Sequence, residues 1–388
     1  MVIYIKTQGA RIIREGRHLL VKKGDSTCHT LFTYKLKQVV VFGNIEITHG
    51  ALCQLMKNNI DTVYLTRYGR YLGRLAPEES KNVFLRKKQY QLLDDADAGL
   101  CLARAIVAGK LANMATLLMR IKRTKKAKAA GQWAEQIQHL GKKLETAATV
   151  DSLRGLEGKA SALYFQGLRH GFTENLGFTK RVRRPPTDPV NSVLSLLYTF
   201  LMNRVYAAVR VAGLDPYPGF LHAIDYGRYS LVLDLMEEFR PIIADTLTLS
   251  LFNLKILKPA DFRTEVPPPA AKAGGMDCMP DVAADPLGQM SMTGAGADTA
   301  GTFDLPEQRM AETPVGEEDV SPGKYPVKLN PDAMQAVIEA FEKKLTTRFH
   351  HPPAERSLSY QDALFFQAGQ YRRVIEGEAK TYLPLLLK

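Results

Sequence analysis

Residues 215–245 read DPYPGFLHAIDYGRYSLVLDLMEEFRPIIAD, and the fold turns on whether the run from Ser230 to Arg240 is a helix. Taken as helix, its i, i+3 spacing sets Asp234 and Glu237 about one turn apart on the same side. His222 lies twelve residues before Asp234, at the end of a loop in which Pro216, Pro218 and Gly219 combine stiff and permissive backbone. One imidazole and two carboxylates then have a way to meet. That mixture of nitrogen and hard oxygen suits Mg²⁺ or Mn²⁺ far better than a soft thiolate site, and the usual task of such a set is phosphodiester chemistry. The same spacing also describes an ordinary solvated helix face. Glu238, four residues after Asp234, shares that face as well as Glu237 does, so spacing does not choose between them. Asp245, beyond the Arg240–Pro241 break, reads as a structural carboxylate near the site.

Outward from this segment, almost every stretch from Leu92 to about Leu254 has helical periodicity. Pro185, Pro186 and Pro189 exclude a continuous helix there and leave Asp188 or Asn191 to cap the next one. The words LEGKASALYF place Glu157 at the head of a helix whose Ala160, Leu163 and Tyr164 recur at helical spacing; read locally, an exposed helix-start carboxylate explains Glu157 equally well. Residues 1 to 76 read differently. MVIYIK, ARIIRE, HLLVKK, LKQVVVFG, IEIT and TVYLT are short, β-branched and punctuated by Gly, Asn and Asp, with one helical interruption at GALCQLMKNN. The expected architecture is therefore α+β: a mostly β domain over 1–76, a linker over 77–91 that turns helical by Arg86, and a larger all-α domain over 92–388. Within it, residues 258–326 are rich in Gly, Ala, Pro and Asp and lack periodicity, which predicts a flexible, disordered acidic insertion. Helical spacing resumes at Asp332.

The formal charge is +12 over 388 residues, with a sequence pI of about 9.4, and this favours a polyanionic partner. The average conceals an asymmetry: twelve acidic residues face three basic ones between Asp261 and Val320, so the remaining chain carries +21. Basic residues also run together. Arg120, Lys122, Arg123, Lys125 and Lys126 form one run, Arg181, Arg183 and Arg184 another, and both are candidates for DNA phosphates. Cys28, Cys53, Cys101 and Cys278 lie too far apart in sequence to suggest zinc, redox or secreted frameworks. No h-region opens the chain and no uninterrupted apolar run has the length of a bilayer span, so no membrane association and a cytoplasmic setting are expected. His350 and His351 read as surface residues.

Taken together, these words resemble the CRISPR-associated integrase and endonuclease family of spacer acquisition, often called Cas one. In that family a Glu in an E-G-x-A setting, a His in a G-F-x-H setting and an acidic pair ending an S-L-x-L-D-L run carry the active site; Glu157, His222, Asp234 and Glu237 occupy those positions here. The F-G-N turn at Phe42, Gly43 and Asn44, the helix with Lys110 and Asn113, and the Y-x-P ending at Tyr382 and Pro384 extend the likeness almost end to end. Residues 258–326 depart from it, since the family commonly has a shorter connection there. The resemblance implies a metal-dependent enzyme that inserts captured DNA into a CRISPR array by 3′-hydroxyl attack on a phosphodiester. Catalysis would fall to Glu157, His222, Asp234 and Glu237, with Glu157, His222 and Glu237 holding Mg²⁺ or Mn²⁺. It also implies a homodimer built through the first domain, prespacer fragments and the CRISPR repeat as DNA partners, and a small ferredoxin-like protein partner, Cas two. Arg183, Asn191 and Tyr164 sit in the same words and are candidates to line the DNA path, although Tyr164 reads at least as well as core packing. Two other readings stay open: a structure-selective nuclease of branched DNA, and a non-catalytic DNA-binding scaffold.

Overall fold

The computed structural model describes residues 1–75, 82–183, 185–265 and 325–387. The first part is built from two four-stranded sheets. β1 (Val2–Ile5), β5 (Gln38–Phe42), β7 (Asp61–Leu65) and β8 (Tyr71–Leu75) form one in that spatial order, parallel except for the antiparallel β7–β8 pair. β4 (Ser26–Phe32), β3 (His18–Lys23), β2 (Arg11–Glu15) and β6 (Glu46–Ile47) form the other. Helix α1 (His49–Lys57), capped by Thr48, packs Ala51 and Leu55 into the shared core.

The central strand β5 explains how the two parts join. Its sequence QVVVF is apolar on both faces and fully buried, as expected of a strand covered on both sides. By the period of two, Val39 and Val41 turn into the small core with Ile12, Leu19 and Leu55, whereas Val40 and Phe42 turn into the large helical core. Phe42 meets Phe200 edge-on at 6.1 Å.

The second part is mainly helical: α2 (Val83–Gln91), α3 (Ala96–Lys125), α4 (Lys128–Lys142), α5 (Val150–Leu168), α6 (Pro189–Val211), α7 (Ser230–Met236), a π-helical turn (Arg240–Asp245), α8 (Thr246–Asn253), α9 (Met334–Thr346) and α10 (Tyr360–Glu376). Asp95, Thr149 and Asp188 cap α3, α5 and α6 by accepting backbone N–H groups in their first turns. Lys126, in the left-handed conformation at φ 53°, ends α3 and turns the chain into α4. Helices α3 and α6 are long and apolar enough to cross a membrane by length and composition, yet most of each is buried against neighbouring helices.

The α+β order of a β part followed by a mainly helical part is as expected, and three details differ. The helical part is not purely α: β11 (Arg348–His351) and β12 (Arg356–Ser359) form a hairpin, and β9 (Phe262–Thr264) pairs antiparallel with β10 (Val327–Leu329). The 258–326 stretch is therefore ordered at its described ends, because Phe262 packs on Phe252 and the ribbon supplies its backbone partners; residues 266–324 lie outside the described residues. His351 is buried, not on the surface. Its ring lies edge-on to Phe366 and its Nδ1 accepts the Ala354 N–H, which closes the hairpin turn.

Candidate active site

The helix read over Ser230–Arg240 exists as α7, prolonged by Glu237 in helical backbone and then widened into the π turn. Pro241 lacks a donor, and the widened π turn is where the helical backbone continues past it. Asp234 therefore points from α7 back at the loop carrying Gly219–His222. Its Oδ2 accepts the backbone N–H groups of Phe220 and Leu221 at 2.7 and 3.0 Å, and its Oδ1 accepts that of His222 at 2.9 Å. The same Oδ1 lies 2.7 Å from His222 Nδ1. A carboxylate there takes the Nδ1 proton as a hydrogen bond, which leaves the Nε2 lone pair facing the other way. Nε2 faces Glu237 Oε1 at 3.7 Å.

Glu157 arrives from α5. It is not at the helix head, since α5 begins at Val150, and it is not exposed; it lies mid-helix and buried, accepting a hydrogen bond from Ser161 at 2.7 Å. The Lys110 ammonium, from the middle of α3, bonds Glu157 Oε1 and stands 2.5 Å from Glu237 Oε2. Arg240 adds a second cation, 3.4 Å from Glu237 Oε1. Burial pushes the Glu157 carboxyl up, but the Lys110 ammonium outweighs it and holds the group at about 2. For Glu237, Arg240, Lys110 and His222 likewise outweigh burial, and its value falls below the ordinary one. Both carboxylates are anions in the fold.

Glu157, His222, Asp234 and Glu237 are thus brought together from three places in the chain. Among the described residues, no three carboxylate, imidazole or thiol groups stand close enough to hold a metal ion as they are; the Lys110 ammonium stands against one oxygen of each glutamate. The donor set itself fits a hard divalent cation: two carboxylates held as anions and one imidazole nitrogen with its lone pair facing them. Asp234 has both oxygens taken and is left out of that set.

Glu238 resolves the ambiguity of spacing. It turns away, between α10 and the C-terminal tail, where Gln367, Tyr382 and the Leu385 N–H all bond it; burial raises its carboxyl to about 8. Asn113 completes this clasp, donating to the carbonyls of Glu238 and Leu385 and accepting the Leu387 N–H. Tyr164 is core, bonded with Tyr198 to Asp245. The basic run on α3 begins about 15 Å along the helix from Lys110, with Arg123, Lys125 and Lys126 exposed. Arg120 is half-buried; Lys122 pairs loosely with Glu135 at 3.6 Å, and Lys125 donates to Thr173. Arg181 spends its guanidinium on Asn191, Ser195 and the Val182 carbonyl, which ties the loop before α6; Arg183 beside it is half-buried. Arg184 lies outside the described residues.

Sequence reasoning did not count Lys110 as a site residue. The available signal was a lysine among the apolar residues of AGKLANMATLL, on the helix face that also carries Val107 and Met114; a lysine on a core face needs an anionic partner.

Fold and site together define a class: an α+β protein whose helical part encloses an imidazole and two carboxylates gathered from distant segments. A family model described as CRISPR associated protein Cas1 matches residues 3–269. The chain belongs to that family. A CRISPR-associated endonuclease Cas1 of Thermus thermophilus is 30% identical over 389 residues, spanning 100% of this chain and 97% of its own. Among solved structures, a chain of a Cas6-RT-Cas1–Cas2 complex superposes with a TM-score of 0.75 at 23% identity, covering 100% of this chain, which spans 36% of that longer one. A casposase bound to integration product superposes with a TM-score of 0.74 at 17% identity, covering 98% of this chain and 93% of its own.

Proposed function

We propose that the chain is a DNA endonuclease and integrase of CRISPR spacer acquisition, dependent on Mg²⁺ or Mn²⁺ held by Glu157, His222 and Glu237. The observation that carries this reading is the burial of those three donors at one point of a basic chain. When bound, the cation lowers the proton affinity of an attacking 3′-hydroxyl and stabilises charge on the phosphate. Glu157 and Glu237 supply hard oxygens, and His222 offers Nε2. Asp234 is a positioning residue: it locks the imidazole orientation through Nδ1 and the loop through three backbone N–H groups. Exposed Arg123, Lys125 and Lys126, together with Arg183, offer the duplex its phosphate contacts, so binding weakens steeply with salt.

DNA fragments and the repeat duplex are the partners of this reading, along with a small ferredoxin-like protein, Cas two, in keeping with the complex named above. A homodimer formed through the β domain belongs to the same proposal. The same proposal divides the chain into domains at 1–76 and 92–388, joined over 77–91; a separate small core lying between Ile5 and Ile60 supports that division.

The test is Mn²⁺-dependent joining of a prespacer to a repeat duplex. Glu157→Ala or His222→Ala should abolish strand joining by at least a hundredfold while leaving salt-sensitive DNA binding within about twofold. Hydrolysis of branched DNA without joined products assigns the chain to a structure-selective nuclease. Binding with no turnover in the unaltered chain makes it a scaffold, and either outcome overturns the proposal.

A further inference from the structure

Lys110 sits where the chemistry of the site expects a cation. Its side chain reaches from the middle of α3, is 4% exposed, and touches one oxygen of each glutamate. A structural ion pair needs one carboxylate for one ammonium. Here one ammonium serves two carboxylates, and both belong to the donor set that the imidazole of His222 completes. Building on the metal reading above, we infer that Lys110 is an internal stand-in for the metal: its ammonium and a divalent cation contend for Glu157 and Glu237, and loading the site requires the ammonium to leave.

Two facts support competition over cooperation. Glu157 Oε1 already accepts from both Lys110 and Ser161, and the ammonium fills the gap between the carboxylates. A divalent ion added beside a retained ammonium, with Arg240 3.4 Å from Glu237, would crowd three cations into a buried site where like charges repel strongly. The stand-in also answers a folding problem. Without Lys110 or a metal, two buried anions would share only Arg240, which stands 3.4 Å from Glu237, and such a pair is costly unless compensated. Lys110 lets the chain fold and keep its ligands arranged before any metal arrives.

The measurement is Mn²⁺ binding to the full chain without DNA, followed by the electron paramagnetic resonance signal of free Mn²⁺. Lys110→Met should bind at least about tenfold more tightly than the unaltered chain. Its thermal midpoint should fall in EDTA and recover with Mn²⁺ by a larger shift than the unaltered chain shows. Lys110→Gln serves as a second neutral variant should Met fail to fold, and Lys110→Arg, which keeps the charge, should bind no more tightly than the unaltered chain. Folding of a neutral variant only when Mn²⁺ is supplied supports the inference. Neutral variants that bind Mn²⁺ no more tightly overturn it, as does failure of both to fold at any Mn²⁺ concentration, which would make Lys110 a cation no metal replaces. If the unaltered chain binds no Mn²⁺, or binds it equally after Glu157→Ala, the metal reading itself fails; binding that needs Glu157 but ignores Lys110 sinks only the stand-in.

Discussion

At the scale of single residues, the five acidic groups around α7 fall into four roles, and their surroundings decide which. Glu157 and Glu237 face cations and stay ionised, Asp234 is consumed by the loop it holds, and Glu238 faces neutral donors in the tail. Asp245 is the case with a pH signature. It is fully buried and bonded by Tyr164 from α5 and Tyr198 from α6, with Arg240 on its own turn and Arg181 from the loop before α6. Burial raises its carboxyl from 3.8 to about 6 against the lowering pull of the two hydroxyls and two arginines. The folded chain thus holds a proton that the unfolded chain releases, so this contribution is fully present below the ordinary value and is lost as pH rises through about 6. Two units correspond to about 3 kcal/mol. Asp245→Asn cannot ionise and still bonds both tyrosines, so between pH 4.5 and 7 its urea stability should rise relative to the unaltered chain by about 2 kcal/mol. Parallel stability curves for the two proteins would remove the assignment. At this scale the sequence was partly legible. Glu157, His222, Asp234 and Glu237 carried a recognisable spacing, but the choice of Glu237 over Glu238 depends on what lies across each face, which spacing does not contain.

At the scale of elements, the site depends on a loop lying close against a short helix. Gly219 is where they meet: a Cβ there would stand 2.6 Å from the Ser230 carbonyl carbon, 2.8 Å from the Leu231 nitrogen and 2.8 Å from Asp234 Oδ2. Two of those atoms are backbone of the first turn of α7, so neither partner has room to yield. Gly219→Ala should lift the loop, loosen the three N–H bonds to Asp234, and misplace His222. We expect a loss of about 2 to 3 kcal/mol in urea stability and Mn²⁺ affinity weakened at least about tenfold; a variant that keeps both would show that the loop is not held by this contact. Elements were legible where their pattern follows from their own packing, as in β5, α1 and α6. They were not where partners supply the order. β4 is almost wholly exposed and is a strand because β3 lies beside it. The hairpin of β11 and β12 lacks alternation, and the π turn at Pro241 reads in sequence as a break because only the wider turn lets the chain continue.

At the scale of the whole molecule, the order of a β part followed by a helical part was legible because each follows one period over many residues, and the burial of β5 on both faces joins them. What sequence did not show is where the departure after Lys258 begins and ends as structure. Its described flanks close on each other: β9 pairs with β10, the Glu265 N–H donates to the Pro326 carbonyl at 2.9 Å, and the Val327 N–H reaches Pro186 at 2.8 Å, anchoring the ribbon to the loop before α6. Because the ends are already side by side, a chain lacking residues 268 to 318 needs only a short turn to close the same ribbon, and loop-closure entropy changes slowly with length. The shortened protein should therefore fold with urea stability within about 1 kcal/mol of the full chain and keep Mn²⁺ binding. Its charge changes more than its fold does. The deletion removes nine acidic and two basic residues, taking the formal charge from +12 to +19. DNA binding at low salt should tighten, and the gain should shrink as salt screens the field over a distance of about 10 Å at 0.1 M. Shortened protein that aggregates would mean the removed stretch supports the core. Soluble protein with unchanged DNA affinity at every salt concentration would mean that its acidic charge never acts against the duplex, leaving the basic surface to be accounted for by α3 and the loop before α6 alone.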